Sequence, residues 1–303
     1  MKKIFISLLA VAALAACNKA EVIDSNPGEA IAFGDAFVDN ATKATDPSYS
    51  ANDITKFNVY GTVNNVVIYP GTEVTKGTAA YNSAWTCPVN QYWIPGASYK
   101  FVGIVDGNKT NVTETTLVNG MPTTISYKAD GVTDLLCQTI TKTANTDGTA
   151  NGLVAFNFTH LLSKVNFTVT NNSTEANGYS FVVKNIVFAG RTEAEYDVVN
   201  KAWENPVTGN ISFPAVTVAT TVASNDLETE MLLIPGDVTV SFTVDILYNG
   251  TPITSTAYTP DTTYNIASGN AYNFNVAVSV GEKIEFTVTK KPEWTNKPAT
   301  PLQ

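Results

Sequence analysis

Apolar residues recur at every second position along much of this chain, and that period constrains the fold class more than any other feature. In VTVSFTVDILY, Val238, Val240, Phe242, Val244, Ile246 and Tyr248 share one face. In AYNFNVAVSV, Tyr272, Phe274, Val276, Val278 and Val280 do the same. KVNFTVTN contributes Val165, Phe167 and Val169, and KIEFTVTK contributes Ile284, Phe286 and Val288. Alternation of this kind marks a strand with one face in a core and the other in water. Turn dipeptides separate the runs: Asn119-Gly120, Asp130-Gly131, Asn177-Gly178 and Asn249-Gly250 among them. Asn or Asp before Gly accommodates the positive φ angles of tight hairpins. After the N-terminal leader there is no sustained helical stripe, and at most a helical turn is expected near Thr192–Val199. The pattern predicts an all-β chain built as antiparallel β-sandwiches.

The N-terminus speaks to the compartment. Lys2 and Lys3 precede IFISLLAVAALA, an apolar run too short to span a bilayer comfortably. It ends in Leu14-Ala15-Ala16-Cys17, which resembles a bacterial lipobox and implies that Cys17 becomes a lipidated N-terminus. The alternative is a plain secretory signal followed by a chance cysteine. Several acyl chains, at ~0.8 kcal/mol per buried methylene, hold a protein firmly on a membrane. With 27 acidic against 18 basic residues, nucleic acid is not an expected partner. Only Cys87 and Cys137 remain besides Cys17. Outside the cytoplasm they are a candidate disulfide, with two buried free thiols as the alternative.

Chemistry is sparse. His160 is the sole histidine and lies in the apolar run Phe156–Thr170, which favours a packed structural role over that of a general base. There is no GxSxG, HExxH or phosphate-binding loop. No calcium-loop spacing occurs either. No catalytic, cofactor or metal set is therefore expected, and the chain reads as non-enzymatic. Trp85, Tyr92, Trp93, Tyr99 and Phe101 crowd into AWTCPVNQYWIPGASYKFVG. Exposed, these rings could stack on sugars; on strand alternation beside a Pro-Gly turn, they read as core.

Four stretches together resemble the fimbrillin family, the lipoprotein precursors of type V pili. They are Tyr92-Trp93-Ile94-Pro95-Gly96 leading to Tyr99-Lys100-Phe101, and Phe158-Thr159-His160-Leu161-Leu162-Ser163-Lys164-Val165. The other two are Leu232-Leu233-Ile234-Pro235-Gly236, and Ile284-Glu285-Phe286-Thr287-Val288 running to Trp294. The resemblance implies two transthyretin-like sandwiches and export as a lipoprotein to the outer membrane surface. It also implies cleavage after a basic residue near the N-terminus, then filling of the vacated groove by a neighbouring subunit's strand. Between Glu29 and Lys56 the only basic residue is Lys43, so cleavage is expected between Lys43 and Ala44. Ile31, Phe33 and Phe37 would belong to the removable strand. Ile284, Phe286 and Val288 would be the inserting face of a donor strand, although the same strand also fits as the last of its own domain. Asp261-Thr262-Thr263 resembles a short O-glycosylation motif, with Thr262 as acceptor.

The expected organisation is a signal peptide at 1–16 and a lipidated leash with the removable strand at 17–43. A first sandwich at 44–161 and a second at 162–303 follow, with their join near Leu161–Leu162. Two function classes stand at this point. One is a pilus subunit, stalk or tip, whose partners are other fimbrillin subunits, the outer membrane before cleavage, and a host or bacterial surface receptor. The other is a permanently anchored surface lipoprotein that binds a glycan or protein through exposed rings.

Overall fold

The computed structural model describes residues 28–34, 36–38, 54–77, 85–106, 111–172, 178–213, 216–218, 224–226, 231–279 and 284–291. Among these there is no helix. The first half of the chain gives β1 (Phe37–Val38), β2 (Lys56–Val63), β3 (Val66–Lys76), β4 (Trp85–Thr86) and β5 (Ser98–Val105). It continues with β6 (Val112–Val118), β7 (Met121–Lys128), β8 (Leu136–Thr143) and β9 (Asn157–His160). The second half gives β10 (Ser163–Asn171), β11 (Tyr179–Asp197), β12 (Ala202–Ser212), β13 (Val216–Val218) and β14 (Ser224–Asp226). It ends with β15 (Met231–Tyr248), β16 (Thr251–Tyr258), β17 (Tyr264–Ile266), β18 (Ala271–Val278) and β19 (Glu285–Lys291).

Two sheets result. The first has the order β1-β9-β8-β5-β2-β3-β4, and the second runs β19-β18-β10-β15-β11-β7-β6, with β12, β13, β14, β16 and β17 paired alongside. Most pairs are antiparallel, but β10 and β18 run parallel over eight residues, from Lys164↔Ala271 to Asn171↔Val278. Parallel neighbours require a long crossover, and the hairpins of β11 to β17 supply it. The apolar run at Phe156–Thr170 divides into β9 and β10, with Leu161–Leu162 between them. The helical turn expected at Thr192–Val199 is instead the end of β11, where Glu193–Asp197 pairs with β7, followed by the turn after Asp197. Sheet pairing with β7 outweighs the local sequence preference there.

The alternating faces pack inward except at the end of one run, where Tyr248 is exposed beside the Asn249-Gly250 turn; Val280 lies outside the described residues. Val165, Phe167, Val169, Phe274, Val276, Val238, Val240 and Phe242 are buried in one core of the second half. The hairpin turns at Asn119-Gly120 and Asn249-Gly250 hold both residues at positive φ, 51° and 76° in the first, 47° and 78° in the second. That is the twist a two-residue hairpin needs.

The first sheet is covered on both faces. On β2, Phe57, Val59 and Val63 point into one core while Asn58 and Thr62, also buried, point the other way. On β5, Tyr99 and Phe101 face that same core, whereas Val102 and Ile104 face a middle core shared with Ile125, Tyr127, Tyr196 and Ile234. The long strands β11 and β15 reach both this middle core and the core of the second half.

Candidate functional site: a strand slot in the first core

The aromatic core of the first half is completed by the N-terminal segment, residues 28–38. Ile31, Phe33 and Ala36 are buried, at 5%, 4% and 1% exposure. The Phe33 ring sits among Phe57, Tyr69, Phe101 and Phe156, with centroids 5.8, 5.6, 6.4 and 6.4 Å away. An apolar ring so enclosed is a plug, not a surface residue.

The segment's backbone is paired on both sides. On one side it runs antiparallel to the stretch around Tyr92: Ile31 N donates to Gln91 O at 2.8 Å and Trp93 N donates to Glu29 O at 2.9 Å. On the other it runs parallel to the stretch entering β9: Gly34 N donates to Val154 O at 2.9 Å and Val154 N to Ala32 O at 2.8 Å. The partner offset slips by one residue between Phe33↔Val154 and Phe37↔Asn157. That slip explains why Ala36 turns inward after Ile31 and Phe33, where strict alternation would not place it. Phe37 contributes its backbone to β1, and its side chain lies outside the described residues. Removal of this segment would leave a slot with two unpaired strand edges and an apolar floor.

One end of the segment is clasped. The Glu29 carboxylate accepts from Asn151 N at 2.5 Å, Asn151 Nδ2 at 2.9 Å and Gly152 N at 3.3 Å. These donors, the Asn151 backbone foremost and then its side chain, hold the Glu29 pKa below the ordinary carboxylate value, with the Lys142 charge adding to them. Lys142 Nζ itself donates to Asn151 O and lies 5.0 Å from the centroid of the Trp93 ring. Glu29, Asn151 and Lys142 are spread over more than a hundred residues, and no sequence motif links them.

The other predicted positions fall as follows. Cys17, Lys43, Ala44 and the stretch from Pro292 onward lie outside the described residues. Trp85, Trp93, Tyr99 and Phe101 are buried, and of that aromatic group only Tyr92 is exposed, which agrees with the reading of these rings as core and not with the alternative of an exposed row. Alternate positions of β5, and the turn before it, aim the rings inward. Cys87 and Cys137 are free thiols in different cores, because Leu136 and Cys137 are neighbours pointing to opposite faces of β8. The candidate disulfide is therefore absent here. Burial pushes the Cys137 thiol pKa up to about 12 and raises that of Cys87. His160 is enclosed and its Nδ1 lies 2.5 Å from Asp134 Oδ2, in a structural setting at the junction of the sheets. Thr262 is exposed between β16 and β17.

Ile284, Phe286 and Val288 are half-buried against the core of the second half. Among the described residues their strand, β19, is the outermost of its sheet and pairs with β18 alone, through seven residues. Phe286 contacts the rings of Phe242, Tyr264 and Phe274.

The profile of the family described as Fimbrillin-like matches residues 42–292. The chain is a member of the fimbrillin-like family. The first 18 residues of this fimbrillin match the prokaryotic membrane lipoprotein lipid attachment site. No curated protein matches it. Among solved structures, a fimbrial protein from Bacteroides vulgatus ATCC 8482 is similar at 14% identity and a TM-score of 0.60, over 87% of this chain and 99% of that one. A protein described as a cell adhesion protein, from Bacteroides uniformis ATCC 8492, is similar at 18% identity and a TM-score of 0.54, over 88% and 98%. At these identities the likeness is one of fold, and it extends over nearly the full length of both chains.

Proposed function

We propose that this fimbrillin is a structural subunit of a cell-surface pilus, exported as a lipoprotein on Cys17 and matured by cleavage between Lys43 and Ala44. Cleavage releases the anchor together with the N-terminal segment, and a neighbour's strand then fills the slot. The observation that carries this reading is the segment's position: a terminal strand inside an aromatic core, paired on both sides, upstream of the candidate cleavage site. Loss of an Ile and a Phe from a core costs about 2–5 and 3–5 kcal/mol respectively. A domain holds only about 5–15 kcal/mol in total, so the emptied first core is strongly driven to take up a replacement. A strand given head to tail does not close on itself, and the product is a filament.

Native trypsin treatment of the lipid-free precursor, followed by mass and size, tests this. The expected result is one cut after Lys43 and a ladder of oligomers that resist SDS. Resistance at Lys43, or a cut product that stays a stable monomer, would sink the proposal.

A further inference from the structure

A polar cleft lies on the other side of β2 and β5 from the slot. Phe57, Val59 and Phe101 face the first core, whereas Asn58, Tyr60 and Ile104 line the cleft together with Asp106. Its far wall is formed by residues 112–115 of β6. Side chains of successive strand residues point to opposite faces, so a cleft touched by four in a row runs along the strand's edge. Among the described residues β6 is the last strand of its sheet and pairs with β7 alone. Such an edge presents backbone N–H and C=O groups outside the sheet ladder. The ladder also slips between Val112↔Tyr127 and Glu114↔Ser126, which makes Thr113 a bulge residue at the cleft. Its hydroxyl donates back to Ser126 O at 3.3 Å. Bulges of this kind re-aim side chains beside functional sites.

The cleft is rich in acceptors, with aliphatic surface beside them. Asn58 is 8% exposed, and its Oδ1 has no hydrogen-bond partner among the described residues. An enclosed acceptor left unpaired is costly, and a donor brought by a ligand relieves it. Asp106 is 5% exposed, and Glu114 stands on the opposite wall. The Tyr60 hydroxyl is hydrogen-bonded to the Thr115 side chain, which ties the two walls together. Ile104 and Val112 supply the aliphatic part of the lining.

We infer that this cleft binds one uncharged sugar ring, free or at the end of a glycan. The hydroxyls of such a ring donate to Asn58 Oδ1, Asp106 and Glu114, and its C–H groups rest on Ile104 and Val112. The cavity is about 200 Å³, short of the ~300–1,000 Å³ of sites for drug-sized ligands, which suits a single ring. Two carboxylates, with no Lys or Arg in the lining, repel an acidic sugar. A divalent cation fits less well, since calcium takes about 6–8 oxygen ligands. Among the described residues no three or more His, Cys, Asp or Glu gather to hold a metal. Because the slot lies across the sheet, this inference and strand exchange stand or fall separately.

The test uses the uncut, lipid-free chain, isotope-labelled for NMR. Methyl glycosides of galactose, glucose, mannose, fucose and N-acetylglucosamine are titrated one at a time, beside N-acetylneuraminic acid and calcium chloride. Amide shifts and saturation transfer to the sugar are read. At least one neutral glycoside is expected to bind in the millimolar range and to move the amides of residues 112–115, while N-acetylneuraminic acid leaves them in place. Asn58→Leu removes the unpaired acceptor, so it is expected to weaken that binding at least about 10-fold with the melting temperature equal or higher. Glu114→Ala, at an exposed position where folding is not at stake, is expected to weaken it in the same direction. Tyr92→Ala, which removes the exposed ring outside the cleft, is expected to leave binding unchanged. The inference is overturned by the absence of any neutral glycoside that moves these amides, or by binding that survives both Asn58→Leu and Glu114→Ala. Shifts at these amides with calcium and with none of the sugars would overturn it too, and would mark a cation site instead.

Discussion

Glu29 is the residue at which the N-terminal segment's hold can be tuned. Its carboxylate takes three hydrogen bonds from Asn151 and Gly152, and these favour the charged form. A carboxyl whose folded pKa is depressed contributes stability above its unfolded value, near pH 4.3, and loses it as pH falls through the folded value. The clasp should therefore be complete at pH 7 and fade in acid. Melting temperatures of the uncut wild type and of Glu29→Gln should differ at neutral pH, with the wild type higher, and the gap should close progressively as the pH falls below the unfolded carboxyl value of about 4.3. A difference that stays constant with pH would show that the Glu29 charge does not act in the clasp. Phe33, by contrast, holds through shape and burial, which pH does not touch.

At the scale of elements, the close approach of β5 to β9 and the chain entering it makes the slot possible. Gly103 on β5 faces Phe156 and Phe158, whose ring atoms would stand 2.9 Å from an added Cβ. Both rings are buried, at 1% and 0% exposure, so neither can yield outward. Gly103→Ala should destabilise the uncut chain by about 1–3 kcal/mol through overpacking, read as a lower urea midpoint with an unchanged slope. An unchanged midpoint would mean that the first core has slack that its ring packing does not suggest. Phe156 stacks on Phe158 and also lines the place of Phe33, so a shift of these rings reaches the floor of the slot.

At the scale of the whole molecule, β11 and β15 bind the halves together. β11 carries Phe181, Val183 and Phe188 into the core of the second half and Ala194 and Tyr196 into the middle core. Its end, Glu193–Asp197, pairs with β7 from the first half. Trp203 Nε1 adds a bond of 2.9 Å to Leu161 O, at the passage between the sheets. Strands shared by two cores should couple their unfolding. Calorimetry on the uncut chain is expected to show one transition, with a ratio of calorimetric to van't Hoff enthalpy of about 1. Two resolved transitions would instead support independent units divided near Leu161–Leu162.

The sequence by itself determined the all-β class and which side chains go inward. A period of two fixes the buried face of a strand, and Asn-Gly pairs fix its turns, through forces that act within a few residues. It also marked Ile31 and Phe33 as strand residues. Only the tertiary structure decided the rest: the inward aim of Trp93, the separation of Cys87 from Cys137, and the parallel pairing of β10 with β18. It alone placed the N-terminal segment in a slot between residues 91–93 and 153–158, with Glu29 in the hands of Asn151. Contacts across such distances depend on which strands become neighbours, and that is settled by the packing of the whole chain. No local period encodes it.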